Sequence, residues 1–204
     1  MSARVMRRAA VVGAGAWGTT FACLLAEAGT PTTVWARRRD IASEINAGTN
    51  ERYVPGRRLP EGVSATSDLM RAIRGAEIVV AAVPSQSARD VLSPLHGRLE
   101  DDAVAVSLMK GVELGTGLRM SQVLAEALDL PAERVAVISG PNLADEIAAR
   151  QPTATVVAAA DELVASRVAA LCATSAFRPY TNTDVLGVEL CGAVKNVIAL
   201  AVGI

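Results

Sequence analysis

Two stretches, "EIVVAAVP" at Ile78–Val83 and "AVAVSL" at Ala103–Leu108, show no polar face. A strand of that kind must be covered on both sides, as happens when helices pack on both faces of a parallel sheet. Further apolar runs at Ala9–Val12, Thr32–Ala36 and Val135–Ser139 read as strands, with weaker candidates at Val63–Thr66, Thr153–Ala159 and Phe177–Thr181. Longer helix-like segments separate them, near Trp17–Ala28, Arg38–Ala47, Ser67–Arg74, Gln86–Arg98, Leu118–Leu128, Leu143–Ala149 and Glu162–Ala173. The alternation predicts an α/β fold built on a doubly wound, mostly parallel sheet. The segment "GTNERYVPGRRLPEGV" reads as a surface excursion rather than a linker between domains.

After "PYTNTD" the texture changes. From about Val185 the residues read as one helix, capped by Asp184 or Thr183 and reaching Ile204 without a stop signal. Its apolar face either docks back on the domain or awaits further helices of a longer protein. We expect the second, with residues 1–184 as one domain and residues 185–204 opening a helical domain.

Composition narrows the function. Hydrophobic residues make up 51% and charged ones 20%, enough for a core. A net charge of −1 without a basic stripe argues against a nucleic-acid partner. Cys23, Cys172 and Cys191 form neither a disulfide framework nor a metal-ligand spacing, so reduced thiols and no metal site are expected. The opening "MSARVMRRAAVVGAGAWGTTFACLLA" resembles a signal peptide only superficially, because glycines and Trp17 interrupt it. No uninterrupted apolar run nears the ~20 residues of a membrane span. These features predict a soluble, cytoplasmic protein.

Gly13, Gly15 and Gly18 have G-x-G-x-x-G spacing, with an apolar strand directly before and a helix directly after. In that context the first glycine permits the tight turn, the second lets a pyrophosphate approach, and the third lets helix and strand pack closely. Backbone N–H groups near Ala16 and Trp17 then face the anion. At the end of the second strand, where an acid would accept from ribose hydroxyls, stand Arg37, Arg38 and Arg39. Arg37 and Arg38 suit an adenine face or a 2′-phosphate, making NADP or NAD the expected cofactor. Arg39 reads as solvated.

Of the 20 Lys and Arg residues only two are lysines, Lys110 and Lys195. Lys110 follows a strand, at the carboxyl edge where open α/β sheets bind ligands. "VISGPNLADEIA" repeats the arrangement: a strand, a Gly140-Pro141 turn, and a helix beginning near Asn142 that would offer a second anion site. Pro84, after a third strand, borders the same edge. Lys195 lies within a helix, just after Gly192 and Ala193 and beside Asn196. It can snorkel to solvent, pair with a buried acid, or face a substrate. The arginine bias favours the last, because an ammonium can aim one donor at a carbonyl and tune its pKa by burial.

Together "VVGAGAWGTTFACLLAEAG", "VPSQSARDVL", "MKGVE", "VISGPNLADEIA" and "FRPYTNTDVLGVELCGAVKNVIALAVGI" resemble the bacterial-type NAD(P)-dependent sn-glycerol-3-phosphate dehydrogenases, motif by motif and in order. The resemblance implies a Rossmann-type sheet and reversible hydride transfer between NAD(P)H and dihydroxyacetone phosphate, giving glycerol 3-phosphate for phospholipid synthesis. It implies cofactor contacts at the glycine turn (Gly13, Gly15, Ala16, Trp17, Gly18), Arg37, Arg38, Lys110 and Ala144. Substrate contacts would come from Lys110, Gly140 and Asn142, with Lys195 as the catalytic lysine. Asn142 departs from the family pattern, in which a hydroxyl residue is common. Family members also continue into a helical domain that supplies a catalytic acid, an Arg-Asn phosphate clamp and the surface for a homodimer. These 204 residues alone are therefore expected to bind cofactor with little or no turnover. Two other readings stay open: a related dehydrogenase acting on a keto or hydroxy acid, and a dinucleotide-binding module without catalysis.

Overall fold

In the first strand, β1 (Ala9–Val12), all four residues are buried, and the computed structural model shows why. It describes residues 8–203 apart from the side chain of Asn196; residues 1–7, with the first arginines, and Ile204 lie outside the described residues. β1 is flanked by β2 (Thr32–Trp35) and β4 (Ile78–Ala81), both parallel to it. β3 (Val63–Thr66), β5 (Val104–Ser107), β6 (Val135–Ser139), β7 (Thr153–Ala159) and β8 (Phe177–Asn182) complete one sheet in the order β3-β2-β1-β4-β5-β6-β7-β8. β1 to β6 run parallel. β7 is antiparallel to β6, and β8 parallel to β7. The three weaker strand candidates are all present.

Two apolar layers explain the missing polar faces. Alternate strand residues Ala9, Val11, Ile78, Val80, Val104 and Val106 pack with α1 (Ala16–Glu27), α2 (Arg39–Asn46), α6 (Ala144–Ala148) and α7 (Glu162–Cys172). Their neighbours Ala10, Val12, Val79, Ala81 and Ala105 face α3 (Leu69–Ile73), α4 (Ala88–Leu92) and α5 (Met120–Leu128). β1, β4 and β5 thus bury both pleat faces.

The expected helix at Gln86–Arg98 is shorter and broken. α4 is flanked by 3-10 turns at Ser85–Ser87 and Ser93–Leu95. Pro94 lacks the N–H that would continue the α-helical ladder, and the chain tightens into the 3-10 turn although Ser93 keeps helical backbone (φ −54°, ψ −32°). The excursion is likewise more than surface: Asn50 and Val54 within it are buried.

α8 (Val185–Gly203) begins at Asp184, whose Oδ1 accepts from Gly187 N at 2.8 Å. It packs on β6 and β7. Leu186, Leu190, Val197 and Ile198 are exposed. At 19 residues and mean hydropathy 1.8, it is the one helix among the described residues long and apolar enough to cross a membrane. Glu189 and Lys195 interrupt its apolar run without lowering that mean enough to hide the helix. Burial pushes the Cys23 and Cys172 thiols up to about 12, with the Glu27 charge adding to the effect at Cys23. Those two thiols therefore stay protonated and poorly reactive at neutral pH.

Candidate functional site

The sheet order reverses direction between β1 and β4, and the glycine turn lies at that switch point. Gly13 has φ 122°, and a Cβ there would overlap the Ala82 carbonyl oxygen. At Gly18 a Cβ would overlap the Gly13 carbonyl oxygen, so this glycine sets how closely α1 meets the turn. Gly15 differs, since a Cβ there would meet nothing within 4 Å. Open space above Gly15 is what a ligand backbone needs in order to approach. Gly15 also caps α1, and neither a side-chain cap nor an acid in the first turn occupies its N–H groups. Those donors and the helix dipole suit a pyrophosphate. Ala16 and Trp17 begin the helix, but the Trp17 ring turns toward the core. It meets Phe21 edge-on with centroids 5.6 Å apart, and Phe177 at 6.5 Å.

Asn50, out of sight in the sequence, holds this turn. Its Nδ2 donates to Ala14 O at 3.1 Å and to Thr19 Oγ1 at 2.8 Å, and the residue is fully buried. Replacing Asn50 by Ala removes both bonds and leaves Ala14 O only the 3.2 Å bond from Thr19 Oγ1. The expected cost is about 1–3 kcal/mol in urea unfolding; an unchanged midpoint would refute the role.

From the turn a cleft of about 390 Å³ runs past Trp35, Tyr53 and Val83 to Arg37 and Arg38. Both arginines are exposed, and Arg38 pairs with Asp40. Arg39 does not line the cleft.

At the other end, Lys110 follows β5, and its Nζ donates to Gly140 O at 3.0 Å. Lys195, exposed on α8, lines a second cavity of about 520 Å³ together with Ser139, Gly140, Asp184 and Gly192. Partial burial, and next the charge of Lys195, hold the Lys110 ammonium below the ordinary lysine range. The two lysines, 85 positions apart by subtraction (195 − 110), thus converge on one edge of the sheet. A smaller cavity of about 80 Å³ behind α1, by Cys23 and Arg57, shares no residue with either cleft.

One expectation fails here. α6 starts at Ala144 rather than near Asn142, has five residues, and carries Asp145 and Glu146 in its first turn. So short a helix, with acids at its start, is a poor anion cradle. Asn142 instead donates from Nδ2 to Thr155 Oγ1 at 2.9 Å, with its Oδ1 buried and unpaired. Ala144 is partly exposed at the first position of α6. The polar group anticipated at Asn196 lies outside the described residues.

The Lys110 loop is braced by residues that the sequence reading passed over. Gln86 accepts from Leu114 N at 2.9 Å and donates to Val112 O at 2.8 Å. Arg89 grips Glu113 through two 2.9 Å bonds and reaches Glu126 with a third. The one acid of α8, Glu189, is buried against the start of α5. A lone acid in an apolar helix was the available signal for it; Gln86 and Asn50 offered none.

A family model described as NAD-dependent glycerol-3-phosphate dehydrogenase N-terminus matches residues 8–165. The chain belongs to that family. It is 58% identical over 198 residues to the glycerol-3-phosphate dehydrogenase [NAD(P)+] of Streptomyces griseus, covering 97% of this chain and 59% of the relative. The Thermobifida fusca protein of the same name is 54% identical over 201 residues, covering 98% and 60%. Among solved structures, glycerol-3-phosphate dehydrogenase from Coxiella burnetii superposes with a TM-score of 0.89 at 34% identity, over 98% of this chain and 61% of that one. The chain therefore spans about three fifths of the length of the relatives it matches.

Proposed function

We propose that the chain forms the dinucleotide-binding part of an enzyme that reduces dihydroxyacetone phosphate to sn-glycerol 3-phosphate with NADPH or NADH, reversibly. Family membership supports the reading. The observation that carries it is the meeting of Lys110 and Lys195 at the Gly140 edge, beside an uncapped glycine turn.

The open space above Gly15 fits a dinucleotide. Gly13, Gly15, Gly18 and the first N–H groups of α1, at Ala16 and Trp17, would hold its pyrophosphate. Arg37 and Arg38 would meet the adenosine end, while Lys110 and Ala144 would approach the nicotinamide end. When bound, the nicotinamide supplies or accepts the hydride. Lys110, Gly140 and Asn142 would then line the substrate site, with Lys195 as the catalytic group. Its ammonium donates to the substrate carbonyl oxygen, stabilises the developing alkoxide, and passes it a proton.

Residues 1–184 are proposed as the dinucleotide domain and 185–204 as the start of a helical substrate domain, supported by the relatives' greater length and the exposed face of α8. That helical region is the proposed surface for a homodimer. The balanced charge and free cysteines support a cytoplasmic protein that neither spans a membrane nor binds nucleic acid. The test is a substrate panel on the intact protein, following nicotinamide absorbance. Dihydroxyacetone phosphate is expected to be the preferred substrate; preference for ketopantoate or a 3-hydroxy acid would reject the reading.

A further inference from the structure

Lys195 is exposed, yet the helix that carries it is anchored by a buried carboxylate six residues earlier. Glu189 accepts from Ser121 N at 2.8 Å, from Ser121 Oγ at 2.6 Å, and from the Arg119 guanidinium. It is 7% exposed. Its position has an electrostatic logic. α5 has no acid in its own first turn, and of its own side chains Gln122 accepts from Arg119 N at 3.1 Å; Glu189 adds a carboxylate to that helix N-terminus from another element.

The residues it grips belong to the Lys110 segment. The chain runs from β5 through Lys110 to Val112, which bridges to Arg119 just before α5. Glu113 N donates to Leu118 O at 2.8 Å and closes the same loop. One turn beyond Glu189, Gly192 brings α8 against this edge. A Cβ there would lie 2.5 Å from Ser139 Oγ and 3.8 Å from Lys110 Cγ. Lys195 follows one turn later, about 9 Å along the axis from Glu189.

We propose that Glu189 is a positioning residue that sets Lys195 against Lys110, by locking α8 to the Arg119–Ser121 end of the Lys110 loop. The inference rests on the catalytic assignment of Lys195 above and adds what aims it. Without Glu189, α8 keeps its cap at Asp184 and its contact through Gly192. It loses the bonds that fix its rotation and sliding against α5, while a partly buried Arg119 keeps only its 3.0 Å bond to Ser121 Oγ. Misplacing the lysine by a fraction of an ångström weakens a bond that matters most as the alkoxide forms, so the loss falls on kcat.

The test uses the intact protein, with kcat expressed per dinucleotide-binding site so that unfolded molecules do not count. Glu189→Ala is expected to lower kcat about 50-fold and Glu189→Gln, which keeps an acceptor for Ser121, about fivefold, while the NADPH Kd changes less than about twofold. A carboxylate that only adds stability would lower the melting temperature and leave kcat per site alone. Wild-type kcat per site in the alanine variant, or in the glutamine variant if the alanine protein does not fold, overturns the proposal. Lys195→Met run in parallel separates the two readings. If it turns over normally, the catalytic assignment falls and this inference with it. If it is inactive while both Glu189 variants turn over normally, only the positioning role falls.

Discussion

Replacing Lys195 by arginine in the intact protein is expected to lower kcat by about three orders of magnitude, with the dinucleotide Kd moving less than about threefold. Charge is preserved in this variant, so what it removes is shape and a transferable proton. A guanidinium is planar, needs room for its fork, and almost never gives up a proton. Burial, and next the charge of Lys195, depress the Lys110 pKa, so a cation at position 195 acts on the same edge of the sheet as Lys110. Steady-state kinetics with dihydroxyacetone phosphate, paired with fluorescence titration of NADPH, reads both quantities. Near-normal turnover would reject a specifically lysine role.

Substituting alanine at the three glycines of the turn one at a time should split stability from binding. Gly18→Ala forces a methyl group onto the Gly13 carbonyl, and Gly13→Ala adds a positive φ to a clash with Ala82. Each is expected to cost about 1–3 kcal/mol or more in denaturant unfolding, because neither backbone can yield without moving α1 or β4. Gly15→Ala meets no neighbour. It should leave the unfolding midpoint unchanged and weaken dinucleotide binding about ten- to a hundredfold, since the methyl occupies the space needed for close pyrophosphate approach. Unchanged binding in Gly15→Ala, with a folded protein, would contradict the assignment of the pyrophosphate to this turn. Gly18→Ala with wild-type stability would contradict the packing argument.

Much of this fold is legible in the chain because its signals are local. Runs such as "IVVA" at β4 have to be buried on both faces, and the two apolar layers are the consequence. Proline breaks the segment around α4 for an equally local reason, although the apolar pattern alone suggested one longer helix. α6 lies within the expected Leu143–Ala149 segment, but the entry near Asn142 that "GPN" suggests does not form. Asn142 in fact turns its amide across the sheet edge to Thr155, and only the pairing of β6 with β7 places Thr155 there.

By itself, the sequence determined the alternation of strands and helices, the glycine turn, the arginines after β2, and the singling out of two lysines. Each follows from residue type and spacing within a few positions. Tertiary structure alone decided that Asn50 supports a turn 36 residues away and that Glu189 caps a helix 68 residues before it. It also decided that the two lysines meet at the Gly140 edge, where Lys110 bonds to Gly140 O and Lys195 lines the adjoining cavity. Such pairings depend on which elements the sheet order and helix packing bring together, and no local pattern of side chains encodes that.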